Sequence, residues 1–236
     1  MNFKLIYILP NLFTATSIFL GIISIIASIN QNFNEAIIYI ILSLICDGLD
    51  GRVARATNST SKFGIEFDSL ADLIAFGAAP AILFYMNIGY EYGKFGSLIA
   101  GLFVVFGAIR LARFNITTGT YEPSVFIGLP IPTAAVVSAL WIKAYLDYEV
   151  FRDYSLLILC IQALLAFLMV SNIRYPSFKK IDLKRANVLK VLITLVILFS
   201  MFYLYLLESA LVLASLYVLY GLLRSAYTLT KTFKKE

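Results

Sequence analysis

The sequence predicts an all-α integral membrane protein with about eight transmembrane helices. Three observations predict it. Hydrophobic residues make up 61% of the 236 positions and charged residues only 14%, against roughly half and about a quarter in an average soluble domain. The mean hydropathy is +0.87. The apolar residues gather into runs close to the roughly 20 residues that span a bilayer, and no polar stretch is long enough for a separate soluble domain.

The runs fall at 12–29, 34–56, 64–88, 95–116, 124–146, 154–172, 187–206 and 209–229. The first exceeds the roughly 7–15 apolar residues of a signal peptide, and Lys4 is the only charge before it. Pro10-Asn11 ends whatever precedes that run and offers Asn11 as an N-cap. The second run closes in a charged stretch. The third opens after a short Ser/Thr/Asn-rich connection near 57–63, which folds the two antiparallel. Ser97 and Gly101 in the fourth run are small enough to predict a close helix contact there. Cys46 and Cys160 read as small core residues, and two cysteines exclude a disulfide scaffold. The last two runs form a C-terminal helix pair.

Alternating eight helices places 16 of the 19 Lys and Arg residues on one side. Lys94, Lys143 and Arg152 fall on the other. The positive-inside rule then predicts a multi-pass protein of the cell membrane with both termini in the cytoplasm. The net charge of +5 reflects this bias, and no basic soluble module supports nucleic-acid binding. The five basic residues between Arg174 and Arg185 read as an anchor facing lipid headgroups. The chain contains no histidine, which removes His-based triads, His-ligated zinc and His general bases.

Charge concentrates at one helix junction, CDGLDGRVARATNSTSKFGIEFDSLAD, residues 46–72. A carboxylate within the hydrocarbon region costs about 2.5–3.5 kcal/mol or more, so this cluster needs a compensating partner. Asp47 and Asp50 share a helix face, continued by Gly51, Ala54 and Arg55. Gly64, Asp68 and Asp72 recur every four residues on the next helix. The antiparallel fold brings both carboxylate faces together. Convergent aspartates without histidine or thiolate pairs suit Mg²⁺ or Mn²⁺, and two ions could sit about 3.5–4 Å apart as in phosphoryl transfer. A salt-bridge network with Arg52, Arg55 and Lys62 is the alternative at this point.

These residues resemble the signature of the CDP-alcohol phosphatidyltransferases, D-x2-D-G-x2-A-R-x8-G-x3-D-x3-D, with every specified position present from Asp47 to Asp72. The flanks IEFDSLADLIAFGAAPAIL, RLARFN, FIGLPIP and LMVSNIRYPSFK are similar to the phosphatidylserine synthase branch. The resemblance implies a six-helix catalytic core within 1–180, followed by the C-terminal pair within 181–236. It implies transfer of a phosphatidyl group from CDP-diacylglycerol, or a CDP-archaeol-type lipid, to L-serine with release of CMP. It makes Asp47, Asp50 and Asp68 metal ligands, and Asp72 the base and possible shared ligand. It sets Asn11, Gly51, Ala54, Arg55 and Gly64 near the nucleotide. Arg110 and Arg113 are expected on a phosphate or the serine carboxylate, and Asn115 and Glu66 near the serine amine. A homodimer is expected from the family. Rival readings are a sister enzyme taking glycerol 3-phosphate or an inositol phosphate, and a small cation transporter or channel.

Overall fold

The structure is a computed structural model that describes residues 8–117, 125–176 and 188–233. Helix α1 (Ile8–Ile29) and helix α2 (Phe33–Ala56) form an antiparallel hairpin, turned by Gln31 in a left-handed conformation (φ 64°). The buried face of α1 is built from small residues, Thr14, Ser17, Gly21, Ser24 and Ser28, spaced three and four apart. The Ser17 and Ser43 hydroxyls meet at 2.6 Å, and Ser24 donates to the Ala36 carbonyl at 2.8 Å. Where lipid replaces water as solvent, such close backbone approach and hydroxyl bridging take over from the hydrophobic effect in joining helices.

The link to α3 (Lys62–Asp72) turns at Asn58 (φ 49°) and ends on Ser61, whose hydroxyl accepts from the Gly64 amide at 3.0 Å. The helix continues through a wide π-type segment, Leu73–Ala78, into α4 (Ala79–Asn87). The expected single run at 64–88 is therefore one rod with a wide turn inside it. Pro80 accounts for the turn, because it has no N–H to donate back to the Phe76 carbonyl. Gly21 of α1 packs here. A Cβ on it would lie 2.9 Å from the Ala75 Cα.

A 3₁₀ turn (Gly89–Tyr92) leads into α5 (Lys94–Thr117). The close contacts of α5 are at Gly96, where a Cβ would fall 1.8 Å from the Gly89 oxygen, and at Gly107, 2.6 Å from Ile131 Cδ1. This corrects the expectation for Ser97 and Gly101. Both are exposed, because the buried face of α5 runs through Gly96, Phe103, Gly107 and Arg110. The fifth run also differs from its expected bounds. Val125–Ile127 is a strand, β1, and α6 spans Ile131–Asp147. Gly128 (φ 76°) and the extended Pro130 hold the intervening backbone out of the helix.

Helix α7 (Glu149–Arg152) is one turn, and α8 (Ser155–Val170) leads to β2 (Arg174–Pro176). Strands β1 and β2 pair antiparallel, with Phe126 opposite Tyr175. Helix α9 (Val188–Leu204) and helix α10 (Leu206–Phe233) are the last described elements. The core gathers Ile40, Phe76, Phe84, Phe103, Ile131 and Met169 from six segments. Cys46 is half-buried and Cys160 is exposed, so Cys160 is not the core residue expected; it lies on the outward face of α8.

By length and composition, α1, the continuous Lys62–Asn87 rod, α5 and Leu206–Tyr227 can each cross a membrane, while α8 and Leu192–Leu204 are shorter apolar helices. Phe19, Phe95, Phe199 and Leu223 are all more than 60% exposed. Such a surface belongs against lipid, and the protein is an all-α integral membrane protein. The basic run expected to anchor at headgroups lies, after Pro176, outside the described residues, as does Lys4.

Candidate active site

The C-terminal half of α2 and the C-terminal half of α3 carry the aspartates. Spacing of three residues on α2 puts Asp47 and Asp50 on one face, and spacing of four on α3 does the same for Asp68 and Asp72. One carboxylate oxygen each from Asp47, Asp50 and Asp68 lies within 4.8 Å of the other two. Asp72 stands beside Asp47 and Asp68, with Arg110 near it. Asp50 and Asp72 are buried, and Asp47 and Asp68 half-buried.

Among the described residues the only ion pair is Lys143–Asp147, far in sequence from this cluster. The alternative salt-bridge network with Arg52, Arg55 and Lys62 is not formed. Oxygen Oδ1 of Asp68 and Oδ1 of Asp72 are buried without a hydrogen-bond partner. Unpaired buried carboxylates cost several kcal/mol each. Convergent, unsatisfied oxygen ligands fit a hard divalent cation.

One residue that the sequence reading missed completes this centre. Thr14 of α1, 3% exposed, donates to Asp50 Oδ2 at 2.6 Å. It lies three residues after Asn11, on the same helix face, and that spacing was the available signal. Helix α1 is already under way at Ile8, so Asn11 stands inside the helix and does not cap it.

Asn11, Gly51, Ala54, Arg55 and Gly64 line a single cavity of about 320 Å³ together with Thr14, Asp50 and Asp68. A Cβ on Gly64 would lie 3.2 Å from Ser61 Oγ and 3.6 Å from Asn11 Oδ1, so glycine leaves the N-cap and the cavity wall undisturbed. Asp72 and Arg110 do not line this cavity.

Arg110 is 7% exposed and lies beside Asp72. Its guanidinium carbon is 5.2 Å from the Phe114 ring centroid, and it makes no hydrogen bond or ion pair with another described residue. Arg113 is used differently. It donates to the carbonyls of Val170, Ile127, Met169 and Ser171 at 2.9–3.1 Å. It thereby closes the end of α8 and ties α5 to β1. Asn115 donates to Ser69 Oγ at 3.0 Å and to Glu66 Oε2 at 3.3 Å. The structure brings Asn115 and Glu66 together at the meeting of α3 and α5, outside the cavity.

The CDP-alcohol phosphatidyltransferase family model matches residues 7–168, which include every aspartate of the cluster and the cavity lining. The chain belongs to the CDP-alcohol phosphatidyltransferase family. It is 49% identical over 227 residues to the CDP-diacylglycerol–serine O-phosphatidyltransferase of Helicobacter pylori (strain ATCC 700392 / 26695), covering 96% of this chain and 94% of that protein. It is 37% identical over 171 residues to the archaetidylserine synthase of Methanothermobacter thermautotrophicus, covering 71% of this chain and 69% of the relative. It is 34% identical over 173 residues to the CDP-diacylglycerol–serine O-phosphatidyltransferase of Bacillus subtilis, covering 73% and 92%. Enzymes of this family depend on a divalent metal, and the Asp47, Asp50 and Asp68 cluster is a site that fits one.

Proposed function

We propose that the protein is a CDP-diacylglycerol–serine O-phosphatidyltransferase. It moves the phosphatidyl group of CDP-diacylglycerol, or an ether-lipid equivalent, to the hydroxyl of L-serine and releases CMP. The observation that carries this reading is the 49% identity to such an enzyme over 96% of the chain.

Asp47, Asp50 and Asp68, with Asp72 at the edge, would hold Mg²⁺ or Mn²⁺, in two positions. Bound metal neutralises the diphosphate and stabilises charge developing on its oxygens. The nucleotide lies in the cavity against Asn11, Gly51, Ala54, Arg55 and Gly64. Serine approaches from the other face of the cluster. Asp72 takes the hydroxyl proton, since no histidine exists to do so. The serine oxygen bonds to the lipid-side phosphorus, and the bridging bond from that phosphorus to CMP breaks. Arg110, buried and without a hydrogen-bond partner among the described residues, receives the serine carboxylate. Asn115 and Glu66 face the amine. Arg113, committed to four carbonyls, keeps the Arg110 turn in place. Displacement is direct, and trapping a covalent phosphatidyl adduct on the protein would contradict that.

The excess of basic residues at the aspartate end supports a cytoplasmic active site and cytoplasmic termini. A catalytic core within 1–180 and a helix pair within 181–236 is supported by a family match that ends at residue 168. A homodimer is expected by family analogy, and light scattering in detergent tests it. The acceptor is tested by measuring CMP release from CDP-diacylglycerol with L-serine, with glycerol 3-phosphate, with an inositol phosphate and with no acceptor. Release that depends on serine supports the reading. Release only with a phosphorylated alcohol keeps the family and overturns the acceptor. No release by folded, metal-binding protein would favour an ion path.

A further inference from the structure

We propose that Ser59, in the α2–α3 connection, is a specificity-determining residue that reads the exocyclic amine of the nucleobase, and that Thr57 sets its polarity. The proposal rests on the reading above in placing the nucleotide in the cavity, and it does not depend on which alcohol is the acceptor.

The connection holds the Ser59 backbone in one place. Helix α2 ends in a Schellman-type turn. The Asn58 amide donates to the Arg55 carbonyl at 3.3 Å, and the Ser59 amide donates to the Ala54 carbonyl at 2.9 Å. Asn58 takes the left-handed conformation that this turn requires (φ 49°). Ser59 is 3% exposed and lines the cavity together with Ala54, Arg55 and Ser61. Thr57 and Ser59 both fall within the unspecified x8 stretch of the sequence signature.

The Ser59 hydroxyl is oriented too. The Thr57 hydroxyl donates to the Val53 carbonyl at 2.8 Å. A hydroxyl has one proton, so Thr57 is the acceptor in its 2.6 Å contact with Ser59 Oγ. Ser59 is the donor of that bond, and its proton is spent. What Ser59 Oγ retains for a ligand is acceptor capacity. Ser61 Oγ has the opposite character. It accepts from the Gly64 amide at 3.0 Å, and its proton has no acceptor among the described residues.

The cavity therefore has an acidic end and a hydroxyl end. Asp50 and Asp68 line the first, and Ser59, Thr60 and Ser61 the second. Ser61 precedes Asp68 by seven residues, about 10 Å along α3. With the phosphates at the aspartates, the base reaches the hydroxyl end. Cytosine carries a 4-amino donor on its outer edge, where uracil, like thymine, carries a carbonyl acceptor. Acceptor-only Ser59 pairs with the amine and sets lone pair against lone pair with the carbonyl. The Ser61 proton suits the ring acceptors of cytosine.

The test is titration calorimetry of CMP and of UMP on the purified full chain in detergent with Mn²⁺, with neither lipid nor serine present. The wild type should bind CMP about tenfold or more tightly than UMP. Ser59→Ala should weaken CMP about tenfold and leave UMP within about twofold, so that the preference collapses. Thr57→Val frees the Ser59 proton and should narrow the preference from the other side, by tightening UMP. Thr57→Ser keeps the relay and should retain the wild-type preference. A purely structural role for the connection would weaken both nucleotides alike, with a lower melting temperature and an unchanged ratio. Equal binding of CMP and UMP by the wild type, or an unchanged ratio in both Ser59→Ala and Thr57→Val, overturns the proposal and leaves the nucleotide cavity standing. A wild type that binds neither nucleotide overturns the placement of the nucleotide, and this proposal with it.

Discussion

The hydroxyl of Thr14 on α1 donates a 2.6 Å hydrogen bond to the carboxylate of Asp50 on α2. It fixes one oxygen of a cluster ligand. A hydrogen bond to a charged group contributes about 1.5–3 kcal/mol, and groups that orient metal ligands typically account for about 10–100-fold in affinity. Thr14→Val is therefore expected to weaken Mn²⁺ binding by about tenfold or more, and Thr14→Ser to retain it. Titration calorimetry on the detergent-solubilised protein checks this. Unchanged affinity in Thr14→Val would reduce Thr14 to a packing residue of the helix seam.

The unpartnered oxygens of Asp68 and Asp72 predict that metal stabilises the fold. A ligand that binds only the folded state adds about 2.7 kcal/mol at 100 times its dissociation constant. Adding Mn²⁺ or Mg²⁺ to chelator-stripped protein should raise the melting temperature, and Asp68→Asn should abolish most of that rise. Scanning fluorimetry reads both. A melting temperature indifferent to metal in the wild type would mean that the cluster holds none.

Arg113 spans four carbonyls on two segments. A lysine ammonium cannot reproduce a planar fork of donors. Arg113→Lys should destabilise the protein by about 2 kcal/mol or more, seen as a lower melting temperature, with the serine KM of the folded fraction little changed. The opposite pattern, intact stability with a raised substrate KM, would return Arg113 to direct substrate binding.

Much of this was legible in the sequence, for physical reasons. Lipid demands long apolar runs, so the helices announce themselves. Carboxylates are costly near hydrocarbon, so Asp47, Asp50, Asp68 and Asp72 stand out, and their spacing of three and four fixes which face they share. Other features depend on tertiary context. Ser97 and Gly101 looked suited to a helix contact, but Gly96 and Gly107 lie on the face that turns inward. The β1–β2 ribbon comprises two three-residue strands without alternation long enough to register. Thr14 is one small polar residue among several on α1, and only the position of α2 makes it a partner of Asp50. Arg110 and Arg113 are equivalent by spacing. Their different uses appear only once α8 ends beside Arg113 and the aspartate cluster stands beside Arg110.

On the proposed mechanism the aspartate centre activates serine through Asp72. The most direct measurement compares wild type with Asp72→Asn for serine-dependent CMP and phosphatidylserine formation, with Mn²⁺ binding measured on the same samples. The wild type should form equal amounts of CMP and phosphatidylserine. In Asp72→Asn, turnover should fall about 100-fold or more, with Mn²⁺ still bound at Asp47, Asp50 and Asp68. Near-wild-type turnover by Asp72→Asn, or CMP release that proceeds equally without serine, would contradict it.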